Sequence, residues 1–287
     1  DMKTKGMVAW IALIAMTMGG LVTPLHAENI EGNENLITKD IQIDDYTAIQ
    51  IGNIHQSGGS FKSLFSFITS GGNSSCFPQV YYQQGNKTTL KVTTDENILP
   101  VLTFQVENNE LKIRTKEGTS ISPSKLLIET SSKDLNELSV SGGADFFLKS
   151  ALETESIEVN VSGGADVKME ESVRASKASF NISGGADLDA TQLACEKVSV
   201  SISGGADATL AGTTRQADLS ASSGSDLDAK NLKAEDVSCD ASSGADITVY
   251  ATKTLQADAS SGADISYKGD PKTDISASSG GDVNHIN

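Results

Sequence analysis

The sequence predicts an all-β protein, a parallel β-helix (solenoid) with turns of about twenty residues, and three observations carry that reading. The hexapeptide VSGGAD ends at Asp166, and near-copies end at Asp145, Asp187, Asp207, Asp226, Asp246, Asp264 and Asp282. Their spacings are 21, 21, 20, 19, 20, 18 and 18 residues, which suit one solenoid turn and are too short for a propeller blade or a helical-pair repeat. Around each Asp the residues alternate. Val198, Val200, Ile202, Ala206, Ala208 and Leu210 share one parity, and Ser199, Ser201, Ser203, Asp207 and Thr209 share the other. Period two with one apolar side is a half-buried strand. Between the paired strands of each repeat lies a Gly-rich bend, such as Gly142–Gly143 or Gly163–Gly164, which would weaken a helix but suits a sharp turn.

The elements follow in order. Lys3 and Lys5 precede the apolar run MVAWIALIAMTMGGLV, and PLHA follows, so residues 1–27 read as a secretory signal peptide cut after Ala27. Residues 28–136 lack the repeat but are rich in β-forming segments: DIQI, TAIQI, QVYYQ, TTLKVTT, KLLIET, and LTFQVENNELKIRT with ENNE as its hairpin turn. This region is expected to cover the first open edge of the coil, because an exposed terminal strand invites pairing. Residues 55–78 interrupt it as an insertion carrying Phe61, Phe65, Phe67 and Phe77. They read as a loop with a short docked helix or as a binding loop presenting Phe61, Phe65 and Phe67.

Residues 137–287 hold the repeats. The linkers ATQLACEK and AKNLKAED place Leu193 and Leu232 as plugs from a third side. ADLDATQL and SDLDAKNL match 39 residues apart, which overlays a two-turn period on the basic one. The late bends replace Val and Ile by Ala and Ser (SASSGSD, DASSGAD, SASSGGD). Each methylene missing from the interior forgoes about 0.8 kcal/mol of burial, so these turns are expected to be the less stable ones.

Composition excludes several functions. The formal charge is −16, and loss of Asp1, Lys3 and Lys5 leaves 20 basic against 37 acidic residues, or −17. That balance disfavours nucleic acid and anionic lipid as partners. After cleavage no stretch could span a membrane as a helix. The three cysteines, Cys76, Cys195 and Cys239, make no disulfide framework. By parity Cys195 and Cys239 are small buried hydrophobes in different columns. The mature chain keeps only His55 and His285, and its single Trp is lost with residues 1–27, so a His-based triad or a zinc site has little to draw on.

The segments IQIDDYTAIQI, LKVTTDENI, NNELKIRT, the serial SGGAD and SSGAD turns, and ADISYKGDPKTDISASSGGDV together resemble the secreted bacterial family labelled auto-transporter adhesin, head GIN domain, common in Bacteroidetes-type organisms. The resemblance covers residues 36 to 287, apart from the insertion. It implies a right-handed β-helix and an exported location, in the periplasm, at the cell surface or outside the cell. It brings no catalytic residues with it.

The role of the recurring Asp is the central question. By parity each points outward, one strand spacing of about 4.8 Å from the next. Neighbouring carboxylates at that distance repel by about 0.9 kcal/mol in water and about 3.5 at an effective dielectric of 20. Three arrangements offset this: Asx-type hydrogen bonds to the bend, solvent screening, or bound cations, calcium above all. The structural turn role is preferred for Asp145, Asp166, Asp187, Asp207, Asp226, Asp246, Asp264 and Asp282, with calcium ligation as the alternative and no other cofactor expected. Catalysis of the polysaccharide lyase or hydrolase kind would need close carboxylates in contrasting environments. Asp187 with Asp189 and Asp226 with Asp228 are the pairs available, but a motif kept eight times argues against a single active site. The expected function is therefore that of a non-enzymatic exported adhesin-like binding or scaffold module for a surface glycan or protein. The alternatives are a carbohydrate-active enzyme and a calcium-stabilised surface module. Beyond Asp282 little remains to cover the last turn, which leaves its edge open to a second copy.

Overall fold

The computed structural model describes residues 28–52, 54 and 77–287. The expected signal peptide, Phe61, Phe65, Phe67 and Cys76 lie outside the described residues. Every regular element within them is a strand except one 3-10 turn. β1 (Glu28–Glu31), β2 (Leu36–Asp40), β3 (Ala48–Ile51), β4 (Gln79–Gln84) and β5 (Thr89–Asp95) come first. One 3-10 turn, Leu99–Val101, leads into β6 (Leu102–Glu107), β7 (Glu110–Thr115), β8 (Thr119–Ser122) and β9 (Leu126–Ser132). The repeats follow as β10 (Glu137–Gly142), β11 (Asp145–Leu148), β12 (Leu152–Glu153), β13 (Ser156–Gly163), β14 (Asp166–Met169), β15 (Val173–Gly184), β16 (Asp187–Ser203), β17 (Asp207–Ser222), β18 (Asp226–Ser242), β19 (Asp246–Ser260), β20 (Asp264–Lys268), β21 (Lys272–Ser278) and β22 (Asp282–His285).

The repeats stack in parallel, turn on turn, as the alternation predicts. One full turn has three sides. Along β16 these are residues 187–190, 193–195 and 197–203, each pairing with the matching segment of β17. The register breaks between Ala190 and Leu193, where the chain rounds a corner. Leu193 and Leu232 are buried at 2% and 1% exposure, so the linkers do close the core from the third side.

The layer order at the N-terminal end differs from the chain order. β3 lies between β7 and β10, and β4 between β9 and β11, all parallel. The chain makes a turn with β3 and β4, returns beneath it with β7 and β9, then climbs above it into the repeats. Val80 therefore sits in one column with Phe146 and Val167, and the described residues before β10 share a continuous core with the repeats. The bottom edges are closed by antiparallel strands: β6 on β7, β5 on β9, and β2 on β5. The β6–β7 turn places Asn108 and Asn109 at φ of 53° and 63°, the two-residue hairpin geometry that ENNE predicts.

Inward columns make the core. Leu138, Val159, Phe180, Val200, Leu219 and Cys239 succeed one another in register and are buried. The neighbouring column runs Val161, Ile182, Ile202, then Ala221, Ala241 and Ala259, so the interior narrows toward the C-terminal turns.

Candidate functional site

The motif residues form one ridge. Asp145, Asp166, Asp187, Asp207, Asp226, Asp246, Asp264 and Asp282 pair in register from each turn to the next. Across the bend runs a second column of Ser141, Ser162, Ser183, Ser203, Ser222, Ser242, Ser260 and Ser278. Each Asp N–H donates to the turn below, as Asp187 does to the Ala165 carbonyl at 3.1 Å and Asp246 to Ser225 at 3.0 Å.

The expected Asx-type bonds are largely missing. Among the described residues only Asp282 of this column makes side-chain hydrogen bonds, accepting from the Val283 N–H at 3.0 Å and from Asn284 Nδ2 at 3.2 Å. The reason is that bend N–H groups are already used. In the early bends they continue the ladder, with Gly164 donating to Gly142 and Gly185 to Gly163, both at 2.8 Å. In the late bends they close a β-turn, with Ala245 donating to Ser242 at 3.3 Å and Ala263 to Ser260 at 3.2 Å. The carboxylates are left to water and to one another. Burial, then the adjacent Asp166, pushes Asp145 up to about 6. Asp187 is also raised, by burial first and then by Asp166, Asp207 and Asp189. Among the described residues no three His, Cys, Asp or Glu side chains gather closely enough to hold a metal ion.

The early SGGAD bends and the late SSG bends, which differ in composition, also differ in backbone geometry. All eight bends carry a left-handed residue after the column Ser: Gly142, Gly163, Gly184 and Gly204, then Ser223, Ser243, Ser261 and Ser279. In the early class a Cβ on Gly163 would lie 3.1 Å from the Gly142 backbone, so stacking itself excludes a side chain. In the late class the following Gly244 also has positive φ, as Gly205 already does in the bend before Asp207, and the turn is closed locally by Ala245 donating to Ser242.

The acid pairs considered for catalysis are held apart in role. Asp189 is flanked in register by Lys168 and Thr209. Asp228 is bridged to Lys230 at 2.5 Å. Cys195 and Cys239 are buried and unpaired, as their parity predicts. Burial, with Asp240 and Asp258 nearby, pushes the Cys239 thiol up to about 12, and burial raises Cys195 too, so neither supplies a thiolate.

One further feature was missed at the sequence level. The outward column of the Asp-bearing side is polar through the repeats: Lys168, Asp189, Thr209, Asp228, Thr248. Its first two turns carry Tyr81 and Phe147 instead, in register with Glu129 below. The two rings meet edge to face, 5.1 Å apart at 84°. The Lys149 ammonium stands 4.5 Å from the Tyr81 centroid and 4.9 Å from that of Phe147. Beside them opens a groove of about 410 Å³, lined by Asp40, Gln83, Thr89, Lys91 and Glu129 as well as Tyr81 and Lys149. The signal was present: two aromatic residues at outward parity in QVYYQ and DFFL. What the sequence does not show is that the turns bring them together.

A family model described as "Putative auto-transporter adhesin, head GIN domain" matches residues 65–185 and 158–271. Solved structures share the fold. A "Putative lipid binding protein" from Parabacteroides distasonis is 26% identical with a TM-score of 0.79, covering 91% of this chain and 100% of that one. A "putative adhesin" from Parabacteroides merdae is 24% identical with a TM-score of 0.78, over 91% and 100%. A "putative adhesin" from Parabacteroides distasonis is 25% identical with a TM-score of 0.79, over 90% and 100%. No curated protein matches the chain.

Proposed function

Since the chain belongs to this adhesin-described family, we propose that it is a non-enzymatic, exported binding or scaffold module of the cell envelope, whose outer sheets present a ligand surface. The observation that carries this reading is the unbroken register of the outward columns. Eight turns repeat the same Ser and Asp positions, and the ridge gathers no acid, base and nucleophile at one place. Enzymes need such a local departure, with carboxylates of contrasting environment facing one substrate atom. A ladder of equivalent positions suits a long ligand instead. No helix among the described residues is long and apolar enough to cross a membrane. Export rests on the Lys3–Ala27 segment and on the family.

The partner is a surface glycan or a protein. The Asp ridge is a structural feature of the turn on this reading, and calcium remains the alternative ligand to try against it. The last turn is a candidate for self-association. β21 and β22 each have a ladder neighbour on one side only among the described residues, and Ile275 is 42% exposed there. Sedimentation velocity would show a dimer that Ile275→Lys dissolves if those edges pair; a monomer at all concentrations would exclude it.

Retention of the purified protein on immobilised cell-surface polysaccharide and on whole cells, together with fractionation of the producing cell, tests the main reading. Binding without release of sugars, from a protein found in the envelope or medium, supports it. A cytoplasmic protein, or one that binds nothing, contradicts it.

A further inference from the structure

We propose that the groove beside Tyr81, Phe147 and Lys149 is a subsite for an acidic sugar, a hexuronic acid unit of a polysaccharide, with Lys149 pairing its carboxylate. This rests on the binding-module reading above and gives it a place and a ligand class.

The groove stands where the outward column departs from the repeat. An outward column that elsewhere carries Lys, Asp and Thr carries two aromatic rings here. Aromatic area facing outward costs hydration and contributes nothing to the core, which Tyr82 and Phe146 already fill from the inner side of the same strands. Edge-to-face packing against Phe147 fixes the Tyr81 ring, which lines the groove as a rigid apolar floor at small entropic cost to a ligand. The C–H face of a pyranose is the apolar surface such a floor accepts, and its hydroxyls need hydrogen-bonding groups around the rim. Gln83, Thr89 and Glu129 line that rim. The groove volume of about 410 Å³ lies at the scale of small-ligand sites.

The charge of the sugar follows from the two lysines. Lys91 makes no ion pair among the described residues, but it lies between Asp40 and Glu129 in register, so two carboxylates already stand beside its charge. Lys149 is different. Its backbone N–H is tied to the Tyr82 carbonyl at 2.7 Å, which sets the strand end in place. Its ammonium is held over the two rings and makes no ion pair among the described residues, in a chain of formal charge −16. A cation kept over an aromatic floor, without a carboxylate of its own, is a partner for a carboxylate brought by the ligand. An inorganic anion would use the ammonium and leave the floor uncovered. A neutral sugar would use the floor and leave the ammonium unpaired. A uronic acid uses both, one carboxylate at a time, at a local cation on a chain whose overall acid surplus otherwise disfavours polyanions.

The test is titration calorimetry of the purified protein with a galacturonic acid hexasaccharide and, separately, a neutral glucose hexasaccharide, with inorganic phosphate as the anion control. Lys149→Gln and Tyr81→Leu are compared with the parent, and their melting temperatures report the fold. The expected result is binding of the acidic oligomer at least about tenfold tighter than the neutral one. Lys149→Gln should bring the acidic oligomer down to the neutral level, while Tyr81→Leu should weaken both. Unchanged affinity in both folded variants overturns the proposal, as does phosphate binding equal to that of the sugar. The same samples are applied to whole cells. Adhesion that both variants retain removes the groove assignment and leaves the adhesin reading standing. A parent protein that adheres to nothing and binds no oligomer ends both.

Discussion

Replacing Asp145 by Asn should stabilise the protein at neutral pH and leave it unchanged in acid. Asp145 starts the ridge, half-buried, with Asp166 in register above it and Gln79 below. Burial and Asp166 together lift its carboxyl to about 6 from the ordinary 3.8. That gap corresponds to about 3 kcal/mol of cost for holding the charge in the folded state. The carboxyl still touches water, and screening reduces the figure to about 1–1.5 kcal/mol. The sign follows from proton uptake. Between pH 4 and 6 the folded chain binds the proton that the unfolded chain has released, so this group's contribution falls as pH rises through that window and is fully unfavourable above it. Asn keeps the shape and carries no charge. The variant should melt about 2–5 °C above the parent at pH 7.5 and level with it at pH 3.5. A variant that melts lower at pH 7.5, or a difference that does not vary with pH, would refute the reasoning.

Other expectations follow from the bends, the buried carboxylate and the ridge. Gly163→Ala puts a Cβ against the Gly142 backbone at positive φ and should cost about 1–3 kcal/mol, whereas Ser243→Gly, at φ 57°, should gain up to about 1 kcal/mol; urea unfolding of both reads the contrast. Asp95 is buried and accepts from the Glu34 N–H at 2.7 Å, the Ser124 N–H at 2.8 Å and the Ser124 hydroxyl at 2.7 Å. Burial pushes its carboxyl up, but these bonds and one from Lys125 outweigh it and hold the carboxyl below its ordinary range. Its contribution is thus present above about pH 4 and lost as pH falls through the lowered value. Asp95→Ala should cost about 3 kcal/mol at pH 7, with the gap to the parent closing in acid; equal melting at pH 7 would show that the bonds do not matter. Saturating calcium, compared with EDTA at matched ionic strength, should shift the melt by less than about 1 °C, while a calcium-specific rise of several degrees would make the Asp ridge a cation site.

The repeat makes most of the coil legible in the sequence. Alternation fixes which side of each strand is buried, so Val198, Val200 and Ile202 could be placed inside and Asp207 outside, and a period near twenty places one Asp above the next. The Asn108–Asn109 hairpin and the plugs Leu193 and Leu232 were legible for the same local reason. What lies outside local pattern was not. β7 and β9 pass beneath β3 and β4 because parallel strands choose partners by long-range burial, which no short window records. The fate of the Asp side chains depended on whether bend N–H groups were free, and stacking in the early bends and local turns in the late ones consume them. The Tyr81–Phe147 contact joins two turns far apart in sequence, and its residues look like ordinary strand aromatics until the register is known.

A binding module differs from an enzyme most directly in holding its polysaccharide without turnover. An acidic polysaccharide incubated with the protein can be measured for bound mass and for chain length in the same sample. The polysaccharide should be retained with its length distribution unchanged over days. Shortened chains, in an activity that Asp187→Asn or Asp226→Asn abolishes, would contradict the binding-module reading.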